Sequence, residues 1–95
     1  MLTRQMIKKY AGSVSYGRGL DIYESGQVLS MEVEEDDGGF YEIHARVKGS
    51  GRKSYLVDMG YDPYEEELIS VSCECPAFYS YSGICKHCVA VLIAF

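Results

Sequence analysis

Between Ser72 and Val89 the chain reads Ser-Cys-Glu-Cys-Pro-Ala-Phe-Tyr-Ser-Tyr-Ser-Gly-Ile-Cys-Lys-His-Cys-Val, a stretch that holds all four cysteines and one of the two histidines of the protein. One residue separates Cys73 from Cys75, and one separates Cys85 from His87. Thiolate and imidazole are donors that Zn²⁺ takes in closed tetrahedral sites. Two close pairs across a short loop bring four donors to one point, and the pattern reads as a structural zinc site, Cys-x-Cys…Cys-x-His. Cys85-x-x-Cys88 is itself a common zinc pair, so by spacing alone Cys88 competes with His87 for the fourth place.

Secondary structure restricts how the two pairs can meet. On a strand running from Leu68 to Cys75, Cys73 and Cys75 project to one face and Glu74 to the other. Pro76 has no N–H for the ladder and ends that strand. On a regular helix, residues two apart lie about 200° from each other. Cys85 therefore belongs at a loop-to-helix junction, with His87 in the first turn. There the thiolates face the positive end of the helix, which favours them.

A wider set of residues resembles a known family. Cys-x-Cys, a short loop and Cys-x-His opening an apolar helix is similar to the SWIM zinc finger. Arg18-Gly19, Tyr23, Gly26-x-Val28, Ala45-x-Val47-x-Gly49, Cys75-Pro76 and Gly83-x-Cys85-Lys86-His87 resemble the version that precedes the ATPase of bacterial Swi/Snf-type proteins. The likeness runs from Arg18 to the C-terminus. It implies Cys73, Cys75, Cys85 and His87 as the zinc ligands, and a part in DNA or protein binding rather than catalysis.

With 95 residues the chain reads as one small domain, of a size at which a metal often supplements the core. A helical lead-in covers 1–26, an antiparallel sheet 27–72, and the zinc motif with a C-terminal helix 73–95. The N-terminal residues lack the apolar stretch of a signal peptide, and no apolar run reaches membrane-spanning length. A cytoplasmic, reducing setting is expected, where clustered cysteines more often bind metal than form disulfides. Neither a membrane nor a small-molecule substrate is expected as a partner.

Apolar residues at 2, 6 and 10 suit a short amphipathic helix over Leu2 to Tyr10, capped by Thr3 and ended by Gly12. A second helix fits Ser15 to Ser25, although Gly17 and Gly19 weaken it. From Gln27 the period becomes two. Leu29, Met31 and Val33 mark the inner side of a half-buried first strand. Asp36-Asp37-Gly38-Gly39 is a hairpin turn. Tyr41, Ile43, Ala45 and Val47 line one face of a second strand over Phe40 to Val47, with His44 turned away to the surface. Lys53 to Met59 and Glu67 to Cys75 complete four strands, separated by a loop from Gly60 to Glu66. Short connections favour antiparallel neighbours. The expected fold is α+β: a four-stranded β-meander with short N-terminal helices, a zinc site at the end of the last strand and a C-terminal helix.

In a meander, the acidic turns around Glu34–Asp37 and Asp62–Glu67 fall at one end of the sheet. Arg46, Lys48, Arg52 and Lys53 fall at the other, beside the zinc site and Lys86. These five cations are the candidate DNA-contacting residues, despite a net charge of −5 that speaks against a general polyanion binder. Phe78 is expected to cover the metal core, and Tyr79 and Tyr81 are candidates for stacking on bases.

From Val89 to Phe95 no polar residue occurs, and a helix apolar all round is normally buried. With one side on the sheet face of Ile43, Val57 and Val71, its other side is expected to meet an adjacent ATPase domain, a second copy or another protein, and the natural chain is expected to continue. The leading reading is a non-catalytic zinc module attached to a Swi/Snf-type ATPase. No phosphate-binding loop of the Gly-x-x-x-x-Gly-Lys-Ser/Thr form occurs, so the motor would lie outside this chain. A pure protein-interaction module is the alternative. A thiol oxidoreductase built on Cys85-x-x-Cys88 is more remote, because it lacks the βαβ setting and leaves Cys73 and Cys75 without a role.

Overall fold

The computed structural model describes residues 2–49, 51–75 and 83–95. Two short helices come first, α1 (Arg4–Ala11) and α2 (Ser13–Glu24). Four strands follow, β1 (Val28–Glu35), β2 (Tyr41–Lys48), β3 (Ser54–Asp62) and β4 (Glu67–Cys73), and then α3 (Lys86–Ala94). The strands form one antiparallel sheet in the order β1-β2-β3-β4, the expected meander.

Thr3 caps α1 by accepting the Met6 N–H at 3.2 Å, and Gly12 ends it at φ 81°, a left-handed position that favours glycine. α2 begins at Ser13, two residues earlier than its sequence pattern indicates. Gly19 is part of the reason this helix exists where it does. A Cβ there would run into the side chain of Val89 and lie 2.8 Å from the carbonyl oxygen of Lys86. The bare backbone of Gly19 is thus what lets α2 lie directly on α3.

β2 alternates as its sequence reads, with Ile43, Ala45 and Val47 buried and His44, Arg46 and Lys48 exposed. β1 departs from expectation. A bulge between Val28 and Ser30 shifts the register, and Leu29 turns outward and is 54% exposed. Val33, opposite Ile43 on the outermost strand, is 40% exposed, so Val28 and Met31 supply most of the contact of this strand with the core. β3 is longer than expected and runs through Gly60 and Tyr61 to Asp62. Gly60 signals a loop in sequence, but here it makes room for a neighbour: a Cβ would fall 2.7 Å from Ser70 Oγ. The turn is confined to the residues after Asp62, whose Oδ1 accepts the N–H groups of Tyr64 and Glu65.

α3 is central. His87 to Leu92 are all buried, because α3 contacts every strand of the sheet as well as α1 and α2. The expectation that one side of this helix is bare is corrected: α1 and α2 cover it, and beyond the half-buried Lys86 exposure begins only at the C-terminal end, with Phe95 37% exposed. Phe95 itself packs edge-on against Tyr41 and Tyr61 at 5.8 Å. No helix among the described residues is long and apolar enough to cross a membrane.

The two glycines inside α2 respond oppositely to a methyl group. Gly19→Ala collides with α3 and should destabilise the fold by about 1–3 kcal/mol, the usual range for overpacking. Gly17 faces open space, and Gly17→Ala should stabilise by roughly 0.5–1 kcal/mol through helix propensity. Denaturant unfolding of both variants checks the difference in sign.

Candidate metal centre

The site is built where the end of β4 meets the start of α3. Cys73 is the last residue of β4, paired with Val57, and its alternation with the exposed Ser72 turns it towards the helices. β4 stops there rather than at Cys75, yet the chain stays tied to β3. Glu74 N–H donates to the Leu56 carbonyl at 3.1 Å, and the Glu74 carboxylate accepts the Leu56 N–H at 2.8 Å. This pair of bonds holds the Cys-Glu-Cys segment against the sheet and directs Cys75 back under it. Cys75 N–H donates to Cys73 Sγ at 3.5 Å.

Cys85 is the N-cap of α3, in extended conformation with φ −79° and ψ 169°, and His87 lies in the first turn, as the spacing requires. The approach to Cys85 is anchored on α1. Ile84 N–H donates to the Tyr10 carbonyl at 3.4 Å, and Gly83 packs so closely on that carbonyl that no Cβ would fit. Tyr10 also accepts the Leu68 N–H of β4 through its hydroxyl at 3.3 Å. One residue of α1 thus touches both arms that carry the donors. Sequence reasoning overlooked Tyr10 and Glu74, since neither carries a chemical signal of its own. It also overlooked Tyr55, whose ring sits 5.0 Å from that of His87.

The Sγ atoms of Cys73, Cys75 and Cys85 and a ring nitrogen of His87 all lie within 4.8 Å of one another, and all four residues are buried. None of the four cysteines is in a disulfide. Cys88 stands outside that set, although its Sγ is 3.6 Å from Cys85 Sγ. Without a cation the sulfurs share charge unequally. Cys85 is pulled far below the usual thiol range, first by the hydrogen bond from Cys73 and then by that from Cys88. Cys73 is pushed up to about 12, chiefly by its hydrogen bond to Cys85, and Cys88 is pushed well up, first by its bond to Cys73. Metal ligation takes cysteine as the thiolate, so loading the site with a divalent cation expels protons. Three sulfurs and an imidazole, buried and converging, are a donor set that suits Zn²⁺ in a closed structural site.

The expected cations are only partly gathered. Arg46 and Lys48 alternate with the buried Ala45 and Val47 and lie on the sheet face away from the helices. Arg52 and Lys53 are exposed in the β2–β3 turn, and Lys86 is half-buried at the start of α3 on the opposite face. They share one end of the sheet with the metal centre but not one surface. Phe78, Tyr79 and Tyr81 lie outside the described residues. His44 is on the surface as expected. It bonds Asp58 Oδ1 through Nδ1 at 2.7 Å, which raises its pKa, and it shares an exposed cluster with Glu34 and Glu42. That cluster lacks the burial that sets the four donors apart.

Neither a curated protein nor a solved structure matches the chain. The SWIM zinc finger family model matches residues 55–95, the span from the middle of the sheet through both donor pairs to the end of α3. This part of the chain is similar to a zinc-binding module, and its buried Cys/His cluster is consistent with Zn²⁺ binding.

Proposed function

We propose that Cys73, Cys75, Cys85 and His87 hold one structural Zn²⁺, and that the module so formed contacts DNA through Arg46, Lys48, Arg52, Lys53 and Lys86 as an accessory to a Swi/Snf-type ATPase. The observation that carries the first part is the convergence of four buried donors from two segments of the chain. When bound, the metal supplies a cross-link and charge neutralisation. All four donors come from the protein, which leaves no open position for catalysis.

Support for the DNA contact is topological. The antiparallel registers place Arg46, Lys48, Arg52 and Lys53 on and around the β2–β3 hairpin. β3 begins at Ser54, three residues before the Val57–Cys73 pair at the end of β4. The acidic turns after β1 and β3 are at the far end, away from an approaching polyanion. Five cations divided between a hairpin and a helix start suit backbone contact rather than base reading. The link to a Swi/Snf-type ATPase rests on the sequence resemblance upstream of the zinc motif.

A second reading has its own observation. The outer sheet face exposes Leu56, across from Arg46, and Ile69, which shares a hollow with Asp36, Glu42 and Asp58, with 40% and 57% of their surfaces open, and the chain carries a net charge of −5. Such a face suits a basic protein partner without any nucleic acid.

Zinc retention ranks the donors. His87→Ala should lose the metal, whereas Cys88→Ser should keep it at the cost of some packing. The reverse order, measured by metal analysis of the purified variants, would make the site four-cysteine. DNA binding is tested by salt titration. Charge reversal at Arg46, Lys48, Arg52 and Lys53 should abolish binding with zinc content unchanged, and each lost phosphate contact should reduce the salt slope by about 0.7–0.9. No detectable binding at low salt by the folded, zinc-loaded chain would leave the protein-interaction reading.

A further inference from the structure

We propose that Cys85 and Cys88 form a reversible thiol–disulfide pair whose oxidation by hydrogen peroxide releases the metal held by the four donors. The inference rests on the zinc reading above and deepens it, for it gives a role to the one cysteine that the donor set leaves over.

The geometry is local and specific. Cys85 is the N-cap of α3 and Cys88 is the third residue of that helix. An N-cap side chain naturally reaches the third helical residue, where a capping oxygen would take the backbone N–H. Here a sulfur occupies that position and meets a second sulfur, with the two Sγ atoms 3.6 Å apart. A disulfide needs about 2.05 Å between sulfurs, a closure that side-chain rotation within one helical turn can supply. Both residues have no exposed surface, so a small oxidant is required rather than a protein thiol.

The chemistry balances without any further reactant. Cys85 sits at the positive end of the helix, where a thiolate is favoured. Its sulfur attacks one oxygen of hydrogen peroxide, breaking the O–O bond and forming a sulfenic acid with loss of hydroxide. The Cys88 sulfur then attacks the sulfenic sulfur. The S–S bond forms, the sulfenic oxygen leaves as water with the proton of Cys88, and the hydroxide of the first step takes a proton from solvent. Two electrons pass from the sulfur pair to the peroxide.

The structural consequence follows from where the bond lies. The donor set connects the end of β4 to the start of α3. A Cys85–Cys88 disulfide connects α3 only to itself and takes Cys85 away from that set. Oxidation thus exchanges a link between elements for one within a single turn, and the metal is left with three donors. His87 and the Cys73–Cys75 pair keep their chemistry, so reduction restores the set.

The test follows zinc release with a chromogenic chelator while the purified, reduced, zinc-loaded chain is exposed to hydrogen peroxide. Disulfides are mapped by mass spectrometry after alkylation of the remaining thiols. Zinc content before oxidant decides the zinc reading by itself: a chain purified without metal overturns that reading and this inference together. With metal present, the expected result is release of the bound zinc, a Cys85–Cys88 linked peptide, and recovery of binding after dithiothreitol and zinc. Cys88→Ser and Cys88→Val, the second chosen to preserve an apolar contact, should retain zinc, release it several-fold more slowly and fail to recover it on reduction. A mapped bond between Cys73 and Cys75, or between Cys73 and Cys88, overturns the inference and leaves the zinc reading intact. So does release in either variant that matches the parent in rate and reversibility.

Discussion

Three cysteine sulfurs and an imidazole brought together in the interior are the constraint on which this fold depends. The cysteines belong to the same buried cluster as Ile43, Val57, Val89 and Leu92. The metal centre is therefore a part of the core and not an attachment to its surface. Buried like charges repel, so closely set thiolates are costly without a cation. A Zn²⁺ ion changes the balance, and structural zinc sites supply about 10–16 kcal/mol, comparable to the whole stability of a small domain. α3 lies over the sheet where the donors of β4 and of its own N-terminus meet, and Gly19 lets α2 lie directly on α3.

Two surfaces result from that arrangement. The end of the sheet with the metal centre also carries the β2–β3 hairpin and its cations, and the opposite end carries the acidic turns. Within the cationic end the face is divided: Arg46 and Lys48 point away from the helices, and Lys86 lies among them. A ligand that touches all five must reach around the hairpin. On the outer face Leu56 lies across from Arg46, and Ile69 shares a hollow with Asp36, Glu42 and Asp58.

Much of this was legible in the residues, and the exceptions have physical causes. β2 could be read residue by residue because it is paired on both sides, so its alternation has nowhere to slip. β1 pairs on one side only, and a bulge there turned Leu29 out of the core its period assigned it to. Gly60 and Pro63 both signal a loop, yet the first is a strand residue kept small by the close approach of Ser70. The spacing of Cys85 and His87 placed the helix start correctly, since helical geometry forbids two residues two apart from sharing a face. What could not be read was the covering of α3. Its apolar periphery is plain in sequence, but the docking of α1 and α2 on it depends on Gly19, which on its own looks only like a weak point in a helix. Tyr10 and Glu74 were invisible for the same reason: their work is done through a carbonyl, a hydroxyl and a carboxylate that reach across the fold.

Metal removal tests the central claim most directly. The purified chain should contain about one zinc per molecule, and a strong chelator should abolish its cooperative thermal transition while far-UV circular dichroism reports the loss of helix, as expected where metal binding supplies folding free energy. Readdition of zinc should restore both signals. A chain that keeps its melting curve and its spectrum unchanged after the metal has been stripped would contradict the account, for its core would then stand without the cross-link between β4 and α3.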